Sequence, residues 1–118
     1  MRVSACESLS EEQYARWVRE EGFGELRQVL FWRWDPVGVE DAFPITADEY
    51  DDYARVLMSR LRKGAGEPQV AAYLLSVERE WMGRRFSDDA KLEALGERIL
   101  DWFEESLSLW MERSDEFH

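Results

Sequence analysis

The sequence predicts an all-α fold, a compact single-domain bundle of about five helices joined by short loops. Three observations predict it. Apolar residues recur at three- and four-residue spacing along most of the chain, and no segment alternates with period two. Helix-start signals stand at Ser10, Thr46, Pro68 and Ser87–Asp89, each followed by an apolar run, and glycine or proline follows every run but the last. The 118 residues, 45% of them hydrophobic, have the length of one domain and can bury roughly two-thirds of the unfolded surface. The domain takes in residues 1–118, with 1–8 and 114–118 expected to fray.

Ser10 at an N-cap with Gln13 three residues on makes a capping box, and Leu9 with Tyr14 makes the accompanying hydrophobic staple. Tyr14, Trp17 and Val18 then share one face. Gly22 and Gly24 read as a break, after which a second helix runs from about Gly24 to Trp34 with Leu26, Val29, Leu30 and Phe31 or Trp34 inward. Asp35 precedes Pro36 and so avoids the helical region. Asp35, Pro36, Val37 and Gly38 suit the four places of a type I turn. Val39 to Ile45 reads as a loop.

Thr46 caps a third helix, with Glu49 completing the box and Ile45 stapled to Tyr50. Tyr50, Tyr53, Leu57, Met58 and Leu61 lie on one side of it, and Gly64 ends it. Arg60, Arg62 and Lys63 occupy its last turn, where the helix dipole favours cations. Pro68 at the first helical position opens a fourth helix, with Val70, Leu74, Val77 and Trp81 inward before Gly83. The fifth runs to about Arg113 along Leu92, Leu95, Ile99, Trp102 or Phe103, Leu107 and Trp110.

Net charge is −11 and unevenly spread. Residues 35–54 hold seven acids and no base, and 88–118 hold ten acids to three bases, whereas 55–87 hold seven bases to three acids. Nucleic-acid affinity rests largely on neutralising phosphates, so this balance excludes nucleic acid as a partner and disfavours an anionic membrane. It steers in a basic protein instead. No apolar run approaches the ~20 residues of a membrane span. The N-terminus lacks a secretory-signal pattern, so the cytoplasm is the expected compartment.

Catalytic chemistry has few candidates. His118 is the one histidine and Cys6 the one cysteine, so there is no internal disulfide, no multi-cysteine metal site and no Ser–His or Cys–His pairing within the helices. Asp48, Glu49, Asp51 and Asp52 are helix neighbours. A hard cation wants a near-closed shell of oxygens, and neither an E-x-x-H motif nor an EF-hand loop is present. These acids therefore read as a first turn matched to the dipole and an exposed face, with no metal, no cofactor and no enzymatic activity expected. The aromatics carry more weight. Trp32 and Trp34 lie two apart on a helix and cannot both face the core, and Trp102 and Phe103 pose the same problem. One or two tryptophans are thus expected to be partly exposed.

W-D-P-V-G-V at Trp34–Val39, D-E-Y-D-D-Y at Asp48–Tyr53 and V-E-R-E-W-M-G at Val77–Gly83 resemble a family of small helical bacterial proteins, a domain of unknown function. Its motifs look like W-D-P-[IV]-G-V, D-E-Y-D-x-Y and E-x-E-x-M-G. The resemblance covers roughly residues 26–83. The loop between the first two motifs is longer here, and Trp81 stands where the family often has histidine. The resemblance implies an all-α fold and no particular activity.

The leading expectation is a non-enzymatic acidic protein-binding protein, more narrowly a bacterial immunity protein that neutralises a basic toxin domain. Asp35, Asp41, Asp48, Asp51 and Asp52 would steer and pair, while Tyr50, Tyr53 or Trp34 would anchor. The alternative is a structural or homodimeric helical module. A carboxylate-based metal-dependent enzyme stands third.

Overall fold

The computed structural model describes residues 5–34, 46–80 and 87–113, the side chains of Ala5 and of 46–50 excepted. A 3₁₀ turn at Ala5–Ser8 leads into α1, residues 11–34, and the helices Thr46–Arg62 (α2), Glu67–Glu80 (α3) and Asp89–Arg113 (α4) follow. The class is all-α with four helices and no strand among the described residues. Five helices were expected. The first two are one 24-residue helix, because the chain stays right-handed helical through Gly22 and Phe23.

Within α1, α-helical Glu11–Trp17 and Phe23–Val29 alternate with π-helical turns at Val18–Gly22 and Leu30–Trp34. These turns have a purpose. Residues 22, 26, 30 and 34 are buried at every fourth position, a spacing that drifts off one face of a regular helix with about 3.6 residues per turn. A π turn accommodates about one extra residue. Two of them reduce the 20 positions from Tyr14 to Trp34 to about 18, or about five whole turns, so both rings meet the same core.

Gly22 supplies the second reason for continuity. A Cβ there would lie 2.7 Å from Met58 Cε and 2.8 Å from Trp17 Cη2. The glycine is a notch that admits α2, not a break. Gly96 plays a similar part in α4, where a Cβ would lie 3.0 Å from the Glu67 carbonyl oxygen.

The expected ends hold at several places. Ser10 and Gln13 form both halves of the capping box, at 3.1 and 2.9 Å. Gly64 sits at φ 93°, with Gly64 N–H donating to Leu61 O and Ala65 N–H to Arg60 O, a Schellman ending. Asp88 caps α4 through Lys91 N–H at 2.8 Å. Pro68 is the second residue of α3 rather than the first: Gly66 precedes the helix, and its N–H donates to the Gln69 side chain. Thr46 is the first residue of α2 rather than the cap before it. Its box with Glu49 and the Ile45–Tyr50 staple lie outside the described residues, as do the Asp35–Gly38 turn, the 39–45 loop, Trp81 with Gly83, His118 and the ends 1–4 and 114–118.

The core is continuous. Trp17, Leu26, Leu30, Trp34, Leu57, Leu74, Ile99 and Leu107 are all wholly removed from solvent. Tyr14, Trp17 and Phe103 meet at centroid distances of 5.6–6.3 Å. Residues 5–8, expected to fray, are instead tied down. Cys6 is buried, and Arg62 at the end of α2 donates to Cys6 O and Leu9 O, both at 2.7 Å, while its guanidinium lies 5.0 Å from the Tyr14 ring centroid.

Candidate functional site

Trp34, Tyr53 and Glu78, one residue from each of the segments Trp34–Val39, Asp48–Tyr53 and Val77–Gly83, meet in space. This indole closes α1 as the fourth buried position in the series 22, 26, 30 and 34. Its Nε1–H donates to Glu78 Oε2 at 2.8 Å, and Tyr53 packs edge-on against it at 5.7 Å. Glu78 is itself fully buried in α3 and accepts a second hydrogen bond, on Oε1, from Ser87 N–H at 2.8 Å. Lys91 Nζ donates to Trp34 O at 2.8 Å. One carboxylate and one ammonium thus join the end of α1, the body of α3 and the start of α4. A buried carboxylate is tolerated where donors are fixed around it, as here.

Trp34 is therefore a core ring and not the exposed anchor expected of it, since no part of it reaches solvent. Tyr53 is half-buried against it. Asp51 and Asp52 are on the surface of α2, where Asp51 pairs with Arg27 at 3.2 Å and Asp52 with Arg55 at 3.0 Å. Exposed pairs of this kind contribute little to stability. Asp35 and Asp41 lie outside the described residues, as do the side chains of Asp48 and Tyr50. So Trp34 and Tyr53 come together, and Asp51 and Asp52 are each engaged by an arginine.

Among the described residues the tryptophan left outside is Trp32, 72% exposed on the opposite side of the same turn. Phe31 meets it edge-on at 4.9 Å, and these two with Arg27 and Gln28 line a shallow hollow of about 380 Å³. Val56 and Leu109 are the other large apolar side chains standing exposed among the described residues. Trp102 is half-buried while Phe103 is inside, as their adjacency requires.

Polar chemistry in the interior is structural in form. Trp17 Nε1–H donates to Ser106 Oγ at 3.3 Å, Ser106 Oγ–H to Glu25 at 2.7 Å and Trp102 Nε1–H to the same Glu25 oxygen at 2.9 Å. Burial pushes the Cys6 thiol above its ordinary value, partly opposed by Arg62, whose nearest guanidinium nitrogen is 3.2 Å from the sulfur. Burial likewise raises the phenols of Tyr14 and Tyr73. A raised thiol is a poor nucleophile. Among the described residues no group of three or more His, Cys, Asp or Glu is placed to hold a metal ion, and no helix is long and apolar enough to cross a membrane.

Sequence reasoning missed the burial of Glu78, although a signal was there: position 78 continues the Val70–Leu74 stripe by four. It also missed the reach of Arg62, for which no local pattern exists. No protein-family model matches this chain, and neither does any curated protein or solved structure.

Proposed function

We propose that this chain is a non-enzymatic protein-binding protein that captures a basic partner, with Trp32 as its apolar anchor. The observation that carries the reading is the 72% exposure of that indole three residues before a segment of seven acids and no base. An indole in water forgoes a large favourable burial, and tryptophan is enriched at the centres of interfaces. The adjoining negative charge would speed and select the encounter, while the ring would hold it. The narrower reading, an immunity protein that blocks a basic toxin domain, takes its support from the same pairing of acidic field and anchor. Self-pairing through Trp32 is the second reading, and a net charge of −11 on each copy opposes it.

The test is capture from the cells that encode the protein, with wild type, Trp32→Ala and a D48K/D51K/D52K variant as baits at low and moderate salt. A partner held by wild type, lost with Trp32→Ala and released by the charge reversal or by salt supports the proposal. Equal recovery on all three baits defeats it.

A further inference from the structure

The outer side of the α1–α4 seam carries a groove that the acidic segment 35–54 does not explain. It begins as a hollow of about 380 Å³ between Gly24, Glu25 and Gln28 of α1 and Trp102 of α4. A second hollow, about 390 Å³, adjoins it at Val29 and Trp102 and continues past Ala94 to Glu97, Asp101 and Glu105. Gln28 also borders the hollow at Trp32, so the surface runs on to the exposed indole. Val29, Ala94 and Trp102 give it an apolar strip, and Glu97, Asp101 and Glu105 give it an acidic edge on α4.

That edge is built from side chains with no other employment. Glu97, Asp101 and Glu105 are all exposed, stand four residues apart, and make no ion pair among the described residues. Like charges at this spacing repel and weaken a helix. Of the bases on α4 other than Arg98, Lys91 donates to Trp34 O and Arg113 pairs with Glu21 at 2.7 Å, and neither stands three or four residues from these acids. Arg98 alone remains in the groove wall. The three acids span eight residues, about 12 Å or two helical turns, a length suited to a helix laid alongside.

We propose that this groove docks a basic amphipathic helix of a protein partner. Its apolar face would lie on Val29, Ala94 and Trp102, and its lysines or arginines would meet Glu97, Asp101 and Glu105. This is the helix-in-groove mode of recognition. The inference rests on the protein-capture reading and adds a basic contact on α4 to the one at the acidic corner where α2 begins.

The test is a nitrogen-15 NMR titration of the full chain with a designed leucine–lysine amphipathic helix of about 18 residues, with a leucine–glutamate counterpart as control. The groove variant is E97K/D101K/E105K, a charge-neutral E97Q/D101N/E105Q variant accompanies it, and D48K/D51K/D52K is the corner control. The lysine peptide should move amide signals at 24–29 and 94–105. Its affinity should fall about tenfold or more in the groove reversal, less in the neutral variant and under about threefold in the corner reversal, and the glutamate peptide should not bind. Equal losses in the two reversals, signal changes gathered elsewhere, or no binding to wild type would overturn the assignment. So would a dimer in sedimentation equilibrium that the groove reversal dissolves, since the groove would then belong to a second copy. Native-cell capture that still depends on Trp32 would leave the protein-capture reading standing in each of those cases.

Discussion

Gly22 and Gly24 lie two residues apart in α1, and replacing each with alanine separates helix propensity from packing. Alanine relieves the conformational cost of glycine in a helix by about 0.5–1 kcal/mol, and that gain is common to both sites. At Gly24 a Cβ meets nothing within 4 Å, so G24A should be more stable by that amount. At Gly22 the new methyl would sit 2.7 Å from Met58 Cε and 2.8 and 2.9 Å from two atoms of the Trp17 ring. Met58 can turn its terminal methyl away. Trp17 has no such freedom, being fully buried with its Nε1–H on Ser106. Overpacking of this kind costs about 1–3 kcal/mol. The difference between the two variants therefore isolates the strain at about 1–3 kcal/mol, or roughly 3–15 °C in Tm for a domain of this size. Urea titrations of both variants measure it. If G22A proved as stable as G24A, α1 would not approach α2 through a glycine notch, and the continuity of α1 would need another cause.

Trp32→Ala should leave stability within about 0.5 kcal/mol of wild type, because the ring is exposed, whereas Trp17→Ala should cost about 3–5 kcal/mol; parallel losses in thermal melts would contradict the placement of Trp32. Trp34→Phe deprives buried Glu78 of a donor and should destabilise by about 1–3 kcal/mol, and an unchanged urea midpoint would disprove the bond. Arg62→Lys cannot hold the carbonyls of both Cys6 and Leu9 as the forked guanidinium does, so it should cost about 1.5–3 kcal/mol and speed alkylation of Cys6 under native conditions. The pH dependence has a definite sign. Tyr14, Tyr73 and Cys6 all have folded values raised above the ordinary 10.0, 10.0 and 9.0, so their contribution is complete below those values and is lost as pH rises through them toward the folded ones. Stability should fall above about pH 9, and Tyr14→Phe should fall less steeply; identical slopes for variant and wild type would remove Tyr14 as a cause.

The helical class, the capping box at Ser10, the ending at Gly64 and nearly every buried residue of α4 were legible in the sequence. Each is a local matter: a cap acts within about four residues, and the stripe Leu92, Leu95, Ile99, Phe103, Leu107 and Trp110 needs nothing beyond helical periodicity. The candidate site was legible in part. The spacing of Trp32 and Trp34 required one ring in and one out, but which one depends on the drift of the whole stripe through two π turns. Tertiary structure alone decided that Gly22 continues a helix, since contacts with Met58 on another helix outweigh a propensity penalty of about 1 kcal/mol. It alone placed Glu78 beneath Trp34, 44 residues away, and Arg62 on Cys6, 56 away. Burying a carboxylate or ordering a guanidinium is favourable when distant donors and acceptors are brought together around it, and no run of neighbouring residues contains that information.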